Sequence, residues 1–597
     1  MFPVPGRSHA ILGEGFVRHL LNDGHEVTYI TPIIMKMTHP RLRQIDISNS
    51  KLMPPDQMFD TQNILMNKWD FKNIKFMLFV TTNFVNGTLT HPNIQRLIHD
   101  PSEQFDAVIV EWLYSELYAG FASVFDCPLI WSSSLDPHWL VLDLIDEIPN
   151  PAYNPQHLAD IVTPLGFWNR AEELWHVIHT KYFKWRLRHK ENHIFDNAFA
   201  SSVALRGRIL PPLNEVRYNG SLILGNSHLS AGTAMRLPPN YIPIGGYHIK
   251  ENIDPLPPNL QDIADNARNG FIYFSMGSML KSSRIPDEMK KGLLNVFSKL
   301  DQTIIWKFEQ ELPDRPNNVH IVSWAPQLSI LAHPNCKLFI THGGLLSVLE
   351  TLHFGVPIIG VPMFGDQHMN INRVVEKGFG MRVDLNDDVV GNMEIAIREI
   401  LDNPRYAQKV KEYSFIYHDR STSPGQELTH WVSHVIRTKG APHLRSPGYM
   451  LPWYQKLYLD LAIVIFITHV TGIPYNISHP NLRRFEVDYF LESIPNMDSS
   501  RAFGRIIREL FISSLREKDV NMLLRDTKER FDLVVAEWMF NDLYAGLSAL
   551  YDCPLLWFSA TESHWMMLRL LEDTINSQDT TSKYIPPFIT SYIIQDM

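Results

Sequence analysis

Two short apolar runs in the middle of the chain each end in small and polar residues. The run LFI leads into THGG at residues 341–344, and the run IIGV leads into PMFGDQ at residues 362–367. A helical pattern follows each run, so polar groups gather where strands end and helices begin, which is where an open α/β sheet binds ligands. A Gly pair at a helix start lets backbone N–H groups approach an anion, and the helix dipole favours negative charge there. The sequence therefore predicts a site for a phosphate-bearing ligand.

A second set of reactive groups lies in the N-terminal part of the chain. His9 stands in the loop PGRSH, and an imidazole with an ordinary pKa of about 6.5 can accept a proton at neutral pH. Glu111 lies at the end of the buried strand-like run FDAVIVEW. A carboxylate there can accept the imidazole N–H, fix the tautomer and stabilise the charge. The pair could deprotonate a hydroxyl group, with Glu116 as an alternative carboxylate.

Parallel strands must position both sets of groups. Leu12, Phe16 and Leu20 recur at helical spacing before the strand-like VTYIT, which predicts a strand–loop–helix–strand opening. Further on, FDAVIVEW, a helical pattern over residues 115–125 and PLIWSSS form a βαβ pattern, which implies a parallel sheet. Prolines cluster at residues 238–258, and after them GFIYFSMGSM and TIIWKFE restart the alternation. We therefore expect an α/β protein with two doubly wound domains.

The stretch at residues 323–380 resembles the nucleotide-sugar signature of the UDP-glycosyltransferase family, of the animal and especially the insect type. A lone Gly pair would be weak evidence, but more than a dozen matches at fixed spacing are specific. The resemblance implies the GT-B fold, with an acceptor-binding Rossmann-like domain at residues 1–240 facing a UDP-sugar-binding one at residues 241–440. The matching residues are Trp324, Pro326, Gln327, His333, Pro334, Thr341, His342, Gly343, Gly344, Ser347, Glu350, Gly355, Val356, Pro357, Pro362, Asp366, Gln367 and Asn370.

The resemblance also implies an activity. GRSH matches the family's catalytic loop, which makes His9 the general base and Glu111, where mammalian members carry Asp, its carboxylate partner. The implied reaction transfers a hexosyl group, glucose from UDP-glucose, to a hydroxyl of a small lipophilic phenol or alcohol with inversion at the anomeric carbon. No Asp-x-Asp sequence ends a strand, so we expect no metal and no other cofactor. The alternative is a catalytically idle UDP-sugar-binding or partner protein.

Donor-binding roles follow from the same resemblance. Trp324 corresponds to the residue that stacks on uracil, and Gln327 and Glu350 correspond to the ribose contacts. His342 and the Gly pair after it would face the diphosphate, and residues 366–367 the sugar hydroxyls. The implied donor-binding residues are Gly277, Ser278, Trp324, Ala325, Gln327, His342, Gly343, Gly344, Ser347, Glu350, Asp366 and Gln367.

Composition narrows the class of protein further. The length of 597 residues suits three or four units at about 150 residues per domain. A net charge of −10 argues against nucleic acid as a partner. Three cysteines are too few for a disulfide framework and lack metal-ligand spacing. The expected partners are a UDP-sugar and a small lipophilic acceptor, and the sequence carries no signal for an oligomeric state.

Large aromatic residues are concentrated at residues 131–185. Each of them alone is typical of ordinary core and helix packing. As a group, they would also suit the wall of a pocket for an apolar acceptor. These residues are Trp139, Phe167, Trp168, Trp175, Tyr182, Phe183 and Trp185.

Residues 441–467 resemble the approach to the membrane anchor with which family members end. The apolar core at residues 461–467 is seven residues long, whereas a spanning helix needs about 20, so we expect a shortened anchor. The chain also begins without the charged and apolar regions of a signal peptide, and we expect a truncated sequence. The resemblance implies a location at the endoplasmic reticulum membrane, on its luminal side.

The end of the chain repeats part of its beginning. Residues 531–565 match residues 105–139 without a gap, with about half of the positions identical, and SHPNLRR echoes THPRLRQ. We therefore expect residues 468–597 to form a partial second acceptor-type domain. PGRSH and the donor signature occur once, and Glu537 of the copy has no histidine partner, so one active site is expected.

Overall fold

The computed structural model describes residues 1–48, 73–145, 148–150, 152–161, 163–277, 285–312, 314–386, 388–463, 524, 534–537 and 545–558. The chain divides into two compact units, residues 1–470 and residues 471–597. The predicted active-site residues lie in the first unit, and one of them, Ser278, falls outside the described residues.

Parallel strands at the start of the first unit bring two strand ends side by side. The strands are β1 (Val27–Thr31), β2 (Leu42–Asp46), β3 (Val108–Trp112), β4 (Leu129–Ser133), β5 (Gly220–Gly225) and β6 (Tyr241–Pro243). β1 pairs with β2, and β3 to β6 form a sheet in the order 3-4-5-6. The Phe2 N–H donates to the Ile30 carbonyl (3.1 Å), and the Glu111 N–H donates to the Met1 carbonyl (3.0 Å). The loop after Phe2 therefore starts between β1 and β3.

Helices pack against this sheet. They are α1 (Arg7–Asn22), α2 (Ile74–Leu89), α3 (Pro92–His99), α4 (Gly120–Phe125), α5 (Trp139–Leu142), α6 (Phe167–Ala204) and α7 (Leu213–Arg217). The predicted apolar face of α1, with Leu12, Phe16 and Leu20, is buried in a core cluster with residues of β4 and β5. Burying such a side chain is worth about 1.5–3 kcal/mol. This face therefore fixes α1 on the sheet, and with it His9 in the first turn.

A second parallel sheet follows, so the predicted restart of the βα alternation is confirmed. Its strands are β7 (Phe271–Ser275), β8 (Thr303–Lys307), β9 (Val319–Val322), β10 (Cys336–Thr341), β11 (Ile358–Gly360) and β12 (Gly380–Arg382). Its helices are α8 (Pro258–Asp265), α9 (Asp287–Ser298), α10 (Gln327–Leu331), α11 (Leu345–Phe354), α12 (Gln367–Glu376), α13 (Val389–Asp402) and α14 (Arg405–His418). The strand order is 12-11-10-7-8-9. Because β7 and β10 are neighbours, the loops that follow them lie side by side.

The helix after the second sheet returns to the first one. This helix, α15 (Pro424–Arg437), buries Leu428 and Val432 in the core cluster that holds Phe16 of α1. His25 Nε2 lies 3.2 Å from Ser433 Oγ of α15. The two sheets are therefore joined by packing as well as by the chain.

The described end of the chain contains a short α/β segment. The short helix α16 (Trp453–Lys456) lies near the end of the first unit. The elements of the later segment are β13 (Val534–Glu537), α17 (Ala545–Tyr551) and β14 (Leu555–Phe558). Val534 lies opposite Leu555 in parallel register, as Val108 lies opposite Leu129 in the first unit. Most of residues 468–597 and part of the predicted anchor core lie outside the described residues, so the second domain stays a prediction. Within the described ranges, no helix combines the length and the apolar character needed to cross a bilayer.

Candidate active site

His9, expected in the loop after the first strand, lies in the first turn of α1, because the helix already begins at Arg7, and its ring meets the end of β3. His9 Nδ1 is hydrogen-bonded to Glu111 Oε1, and the His9 side chain is 22% exposed whereas that of Glu111 is fully buried. A carboxylate only accepts hydrogen bonds, so Nδ1 carries the proton and Nε2 keeps its lone pair. Burial lowers the pKa of His9, but the charge and hydrogen bond of Glu111 outweigh it and raise that pKa above its usual value. The arrangement therefore suits a base whose protonated form is stabilised.

Glu116, the alternative carboxylate, belongs to a different ion cluster. Its oxygens lie 3.0 Å from Lys184 Nζ and 3.4 Å from an Arg217 nitrogen. The Trp112 indole also donates to it at 3.1 Å. Burial alone would raise the pKa of Glu116, but the two cations lower it to about 2. The alternative assignment is wrong, because this carboxylate already neutralises buried cations of α6 and α7.

A half-buried histidine, His342, follows β10 and lies between two glycines. A Cβ added at Gly277 would come within 2.6 Å of the His342 ring, and one at Gly344 within 2.8 Å. Gly277 also has φ +78°, a conformation that glycine adopts most easily. Burial lowers the pKa of His342 to about 4, with Lys307 adding to the effect. The imidazole is therefore neutral, and it stands at the N-terminus of α11, where backbone N–H groups lack helical partners.

The predicted ribose contacts form one hydrogen-bonded group. Gln327 Nε2 donates to Ser347 Oγ (3.2 Å) and to Glu350 Oε2 (2.5 Å). The other oxygen of Glu350 lies 3.3 Å from His248 Nε2. Glu350 is buried although a helix carboxylate is usually exposed. The sequence gives no signal for His248 as a partner of Glu350, because no motif surrounds this histidine and the two residues are 102 positions apart.

The nucleobase position is more open. The Trp324 indole is 56% exposed. The Arg7 guanidinium carbon lies over this ring, 5.9 Å from its centroid. Ala325, the next residue, is buried in the core cluster below the site. The first turn of α1, which carries His9, thus also reaches the predicted uracil-stacking residue.

Asp366 at the start of α12 links the donor and acceptor sides. Asn370 Nδ2 donates to Asp366 Oδ2 (2.8 Å) and to the Gly343 carbonyl (3.1 Å). The side-chain oxygen of Gln367 accepts the backbone N–H of Met363 at 2.9 Å. Burial raises the pKa of Asp366, and the charge of His9 acts in the opposite direction. The predicted base and the predicted sugar-binding carboxylate therefore share one electrostatic environment.

A buried ion pair that the sequence did not reveal connects the two halves. Arg373 Nη1 of α12 donates to Asp136 Oδ2, in the loop after β4, at 2.6 Å. Both side chains are mostly buried. Outside the helix, Arg382 makes a more exposed pair with Asp160 at 2.5 Å. The first pair holds the loop after β4 against α12, and the second holds Asp160 against the end of β12.

For most of the aromatic residues at 131–185 the expectation of core packing is wrong, and the pocket wall stays a prediction. Trp139 is buried, and Phe183 packs at the edge of a core cluster. The other rings are exposed on α6, with Trp168 at 79%. Their spacing marks one face of a helix, but periodicity does not tell which face is buried. The exposed members are Phe167, Trp168, Trp175, Tyr182 and Trp185.

Comparisons with known proteins agree with this geometry. The family model described as UDP-glucoronosyl and UDP-glucosyl transferase matches residues 4–485. UDP-glucosyltransferase 2 of Dactylopius coccus is 34% identical over 472 residues, which is 78% of this chain and 89% of that protein. Human UDP-glucuronosyltransferase 2B7 is 26% identical over 493 residues, which is 78% and 89% of the two chains. The glycotransferase of kitacinnamycin, at 18% identity, has a TM-score of 0.50 over 73% of this chain and 97% of its own, and shows the GT-B fold.

Proposed function

Because the chain belongs to the UDP-glucoronosyl and UDP-glucosyl transferase family and is a UDP-glycosyltransferase, we propose that it transfers glucose from UDP-glucose to a hydroxyl of a small lipophilic acceptor. The contact between His9 Nδ1 and Glu111 carries this proposal. It leaves the second ring nitrogen of His9 free to accept a proton, in the first turn of α1, which also reaches Trp324. The donor residues are the ones described above.

The proposed reaction is a single displacement. His9 Nε2 takes the proton of the acceptor hydroxyl, and Glu111 stabilises the imidazolium that forms. The acceptor oxygen forms a bond to the anomeric carbon while the bond from that carbon to the UDP oxygen breaks on the opposite face. The configuration at the anomeric carbon is therefore inverted. The negative charge on the leaving diphosphate is met by the N-terminus of α11 and by the hydrogen-bond donors beside it.

Local charge supports glucose over a sugar that carries a carboxylate. Asp366 and Asp136 interact electrostatically with each other. The cation nearest to Asp136, Arg373, is already paired with it. A glucuronate carboxylate would add a further negative charge to this region, which disfavours it. The similarity to a UDP-glucosyltransferase points to the same donor.

The test is an assay of the purified protein with UDP-glucose and a panel of phenols. We expect a glycoside whose anomeric configuration, read by NMR, is opposite to that of the donor. His9→Ala should abolish the product, whereas His189→Ala, on the exposed side of α6, should not. Chelation of divalent metals should leave the rate unchanged. If UDP protects the protein against thermal unfolding but no acceptor is glycosylated, the protein is the catalytically idle alternative.

We also propose, from the family resemblance alone, that the protein works on the luminal side of the endoplasmic reticulum membrane. A lipophilic acceptor dissolved in that membrane would then be within reach. Cell fractionation followed by protease protection tests this: the full chain should resist protease until the membrane is opened with detergent.

A further inference from the structure

The loop after β4 and the first residue of α5 gather buried polar atoms that have no hydrogen-bond partner among the described residues. The four residues that carry these atoms are each at most 6% exposed. Buried polar groups are nearly always hydrogen-bonded in folded proteins, and leaving one unsatisfied costs about 1–3 kcal/mol. Four such residues within six positions leave this segment with donors and acceptors that a polar ligand can use. The atoms are Ser134 Oγ, Asp136 Oδ1, both ring nitrogens of His138, and Trp139 Nε1.

Aromatic rings surround the most unusual of these residues, His138. Its ring stacks on that of His157, with centroids 4.0 Å apart and planes at 30°. The Trp112 ring lies 5.8 Å away on centroid distance. The Tyr114 hydroxyl is hydrogen-bonded to His157 Nε2, and His157 Nδ1 has no partner in the described structure. We call Tyr114, Asp136, His138 and His157 the His138 cluster. Its flat rings suit a planar aromatic ligand.

The His138 cluster borders the reacting groups. β3 and β4 are neighbours in register, with Glu111 opposite Ser132 at the strand ends that precede the cluster. Asp366 acts electrostatically on Tyr114 and on His9. Asp136 is tied to α12 by its pair with Arg373. An acceptor whose hydroxyl lies at His9 would therefore extend toward the cluster.

The charges in the cluster select the chemical class of the ligand. Burial lowers the pKa of His138 well below its usual value and that of His157 to about 3, so both rings are neutral. A neutral imidazole offers one donor and one acceptor. The charge of Arg373 is compensated by Asp136 at 2.6 Å, so this cation is not available to a carboxylate. A hydroxyl group, which both donates and accepts, is the complement of this site.

We propose that the His138 cluster binds a second hydroxyl of the acceptor, so that the enzyme prefers dihydroxylated aromatic acceptors to monohydroxylated ones. This inference rests on the proposed function, since it concerns the acceptor of the same reaction. The glycosylated hydroxyl lies at His9. The second hydroxyl supplies the hydrogen-bond partner that the ring nitrogens of the neutral imidazoles lack. Specificity of this kind is strong because the analogue without the hydroxyl leaves buried polar groups unpaired.

The experiment compares kcat/KM of the full-length protein for 2-naphthol with that for 2,6- and 2,7-dihydroxynaphthalene. A symmetrical diol gains about twofold from its two equivalent hydroxyls, so we expect the better diol to exceed 2-naphthol by about tenfold or more, the effect of one buried hydrogen bond. His138→Phe should reduce this ratio to about two, the statistical value. His138→Gln, which keeps a donor and an acceptor, should restore part of it. His189→Phe is the matched surface control.

The outcomes separate this inference from the function on which it rests. If no acceptor is glycosylated by the wild-type protein, the proposed function fails. If glycosides form but the diols exceed 2-naphthol only twofold, or His138→Phe lowers all rates equally, the inference is overturned and His138 is merely structural. A higher kcat/KM for 6-hydroxy-2-naphthoic acid than for the diols would also overturn it, because the site would then bind an anion. UDP affinity should be equal in all variants.

Discussion

Replacing Glu111 by Gln removes one charge from the buried pair with His9 and nearly nothing else. The carboxylate is fully buried and contacts Nδ1 of the imidazole. Two unit charges about 4 Å apart interact by about 4 kcal/mol at an effective dielectric constant of about 20. The Gln amide can still accept the N–H, so we expect a loss of about 2–4 kcal/mol of transition-state stabilisation. This corresponds to a fall in kcat of about 30- to 1000-fold.

The pH profile gives a second, independent signature of the same change. Glu111 raises the pKa of His9 against the effect of burial, and the base works only when neutral. In the wild-type protein kcat/KM should therefore fall on the acid side with a pKa above the usual value of about 6.5. Without the carboxylate, burial dominates and the pKa of His9 drops. The acid limb of the Glu111→Gln variant should thus move to lower pH while the plateau falls.

The assay measures glycoside formation from UDP-glucose between pH 5 and pH 9 for the wild type and Glu111→Gln. Glu537→Gln is the matched control, since Glu537 has the corresponding position in the parallel register of β13. We expect the control to keep the wild-type rate and profile. An unchanged acid limb in Glu111→Gln, or a plateau within threefold of the wild type, would refute the role given to this carboxylate.

Three further predictions concern the donor side, the contact between the halves and the end of the chain. Gly277→Ala places a Cβ within 2.6 Å of His342 at φ +78°, so it should lower stability by about 1–3 kcal/mol and weaken UDP binding at least tenfold by calorimetry. Arg373→Met leaves Asp136 buried without its cation, so it should lower the free energy of unfolding by about 3–5 kcal/mol at neutral pH, measured by chemical unfolding. The loss should be smaller at acidic pH, because a protonated Asp136 needs no cation. Arg398→Met, which removes an exposed pair, is the control. Deletion of residues 470–597 should leave turnover intact, and a soluble truncated protein without activity would contradict a single active site in the first unit.

Local signals explain how much of the fold could be predicted. The βα alternation, the apolar face of α1 and the Gly pair before α11 are written in neighbouring residues, where sterics and periodicity act directly. The family resemblance then supplied the pairing of His9 with Glu111, which are 102 positions apart. The sequence therefore predicts the elements that local residues determine, and it also predicts the donor residues at the strand ends.

Contacts between distant residues account for what was missed. His248 meets Glu350, and Arg373 meets Asp136, only because the two sheets pack together. The sequence alone leaves Glu116 as a possible partner of His9, because the two cations that pair with it come from α6 and α7, far along the chain. The aromatic residues of α6 suit core packing as well as a pocket wall in the sequence, because helical spacing defines a face without showing what covers it. The local sequence predicts none of these contacts.

The role of His9 as the general base is tested most directly by single-turnover transfer from UDP-glucose by the wild type and by His9→Ala, with donor affinity measured on the same samples. We expect equal UDP affinity, because His9 is not among the donor-binding residues, and no glycoside from the variant. Transfer by His9→Ala at the wild-type rate would contradict the claim that His9 takes the proton of the acceptor.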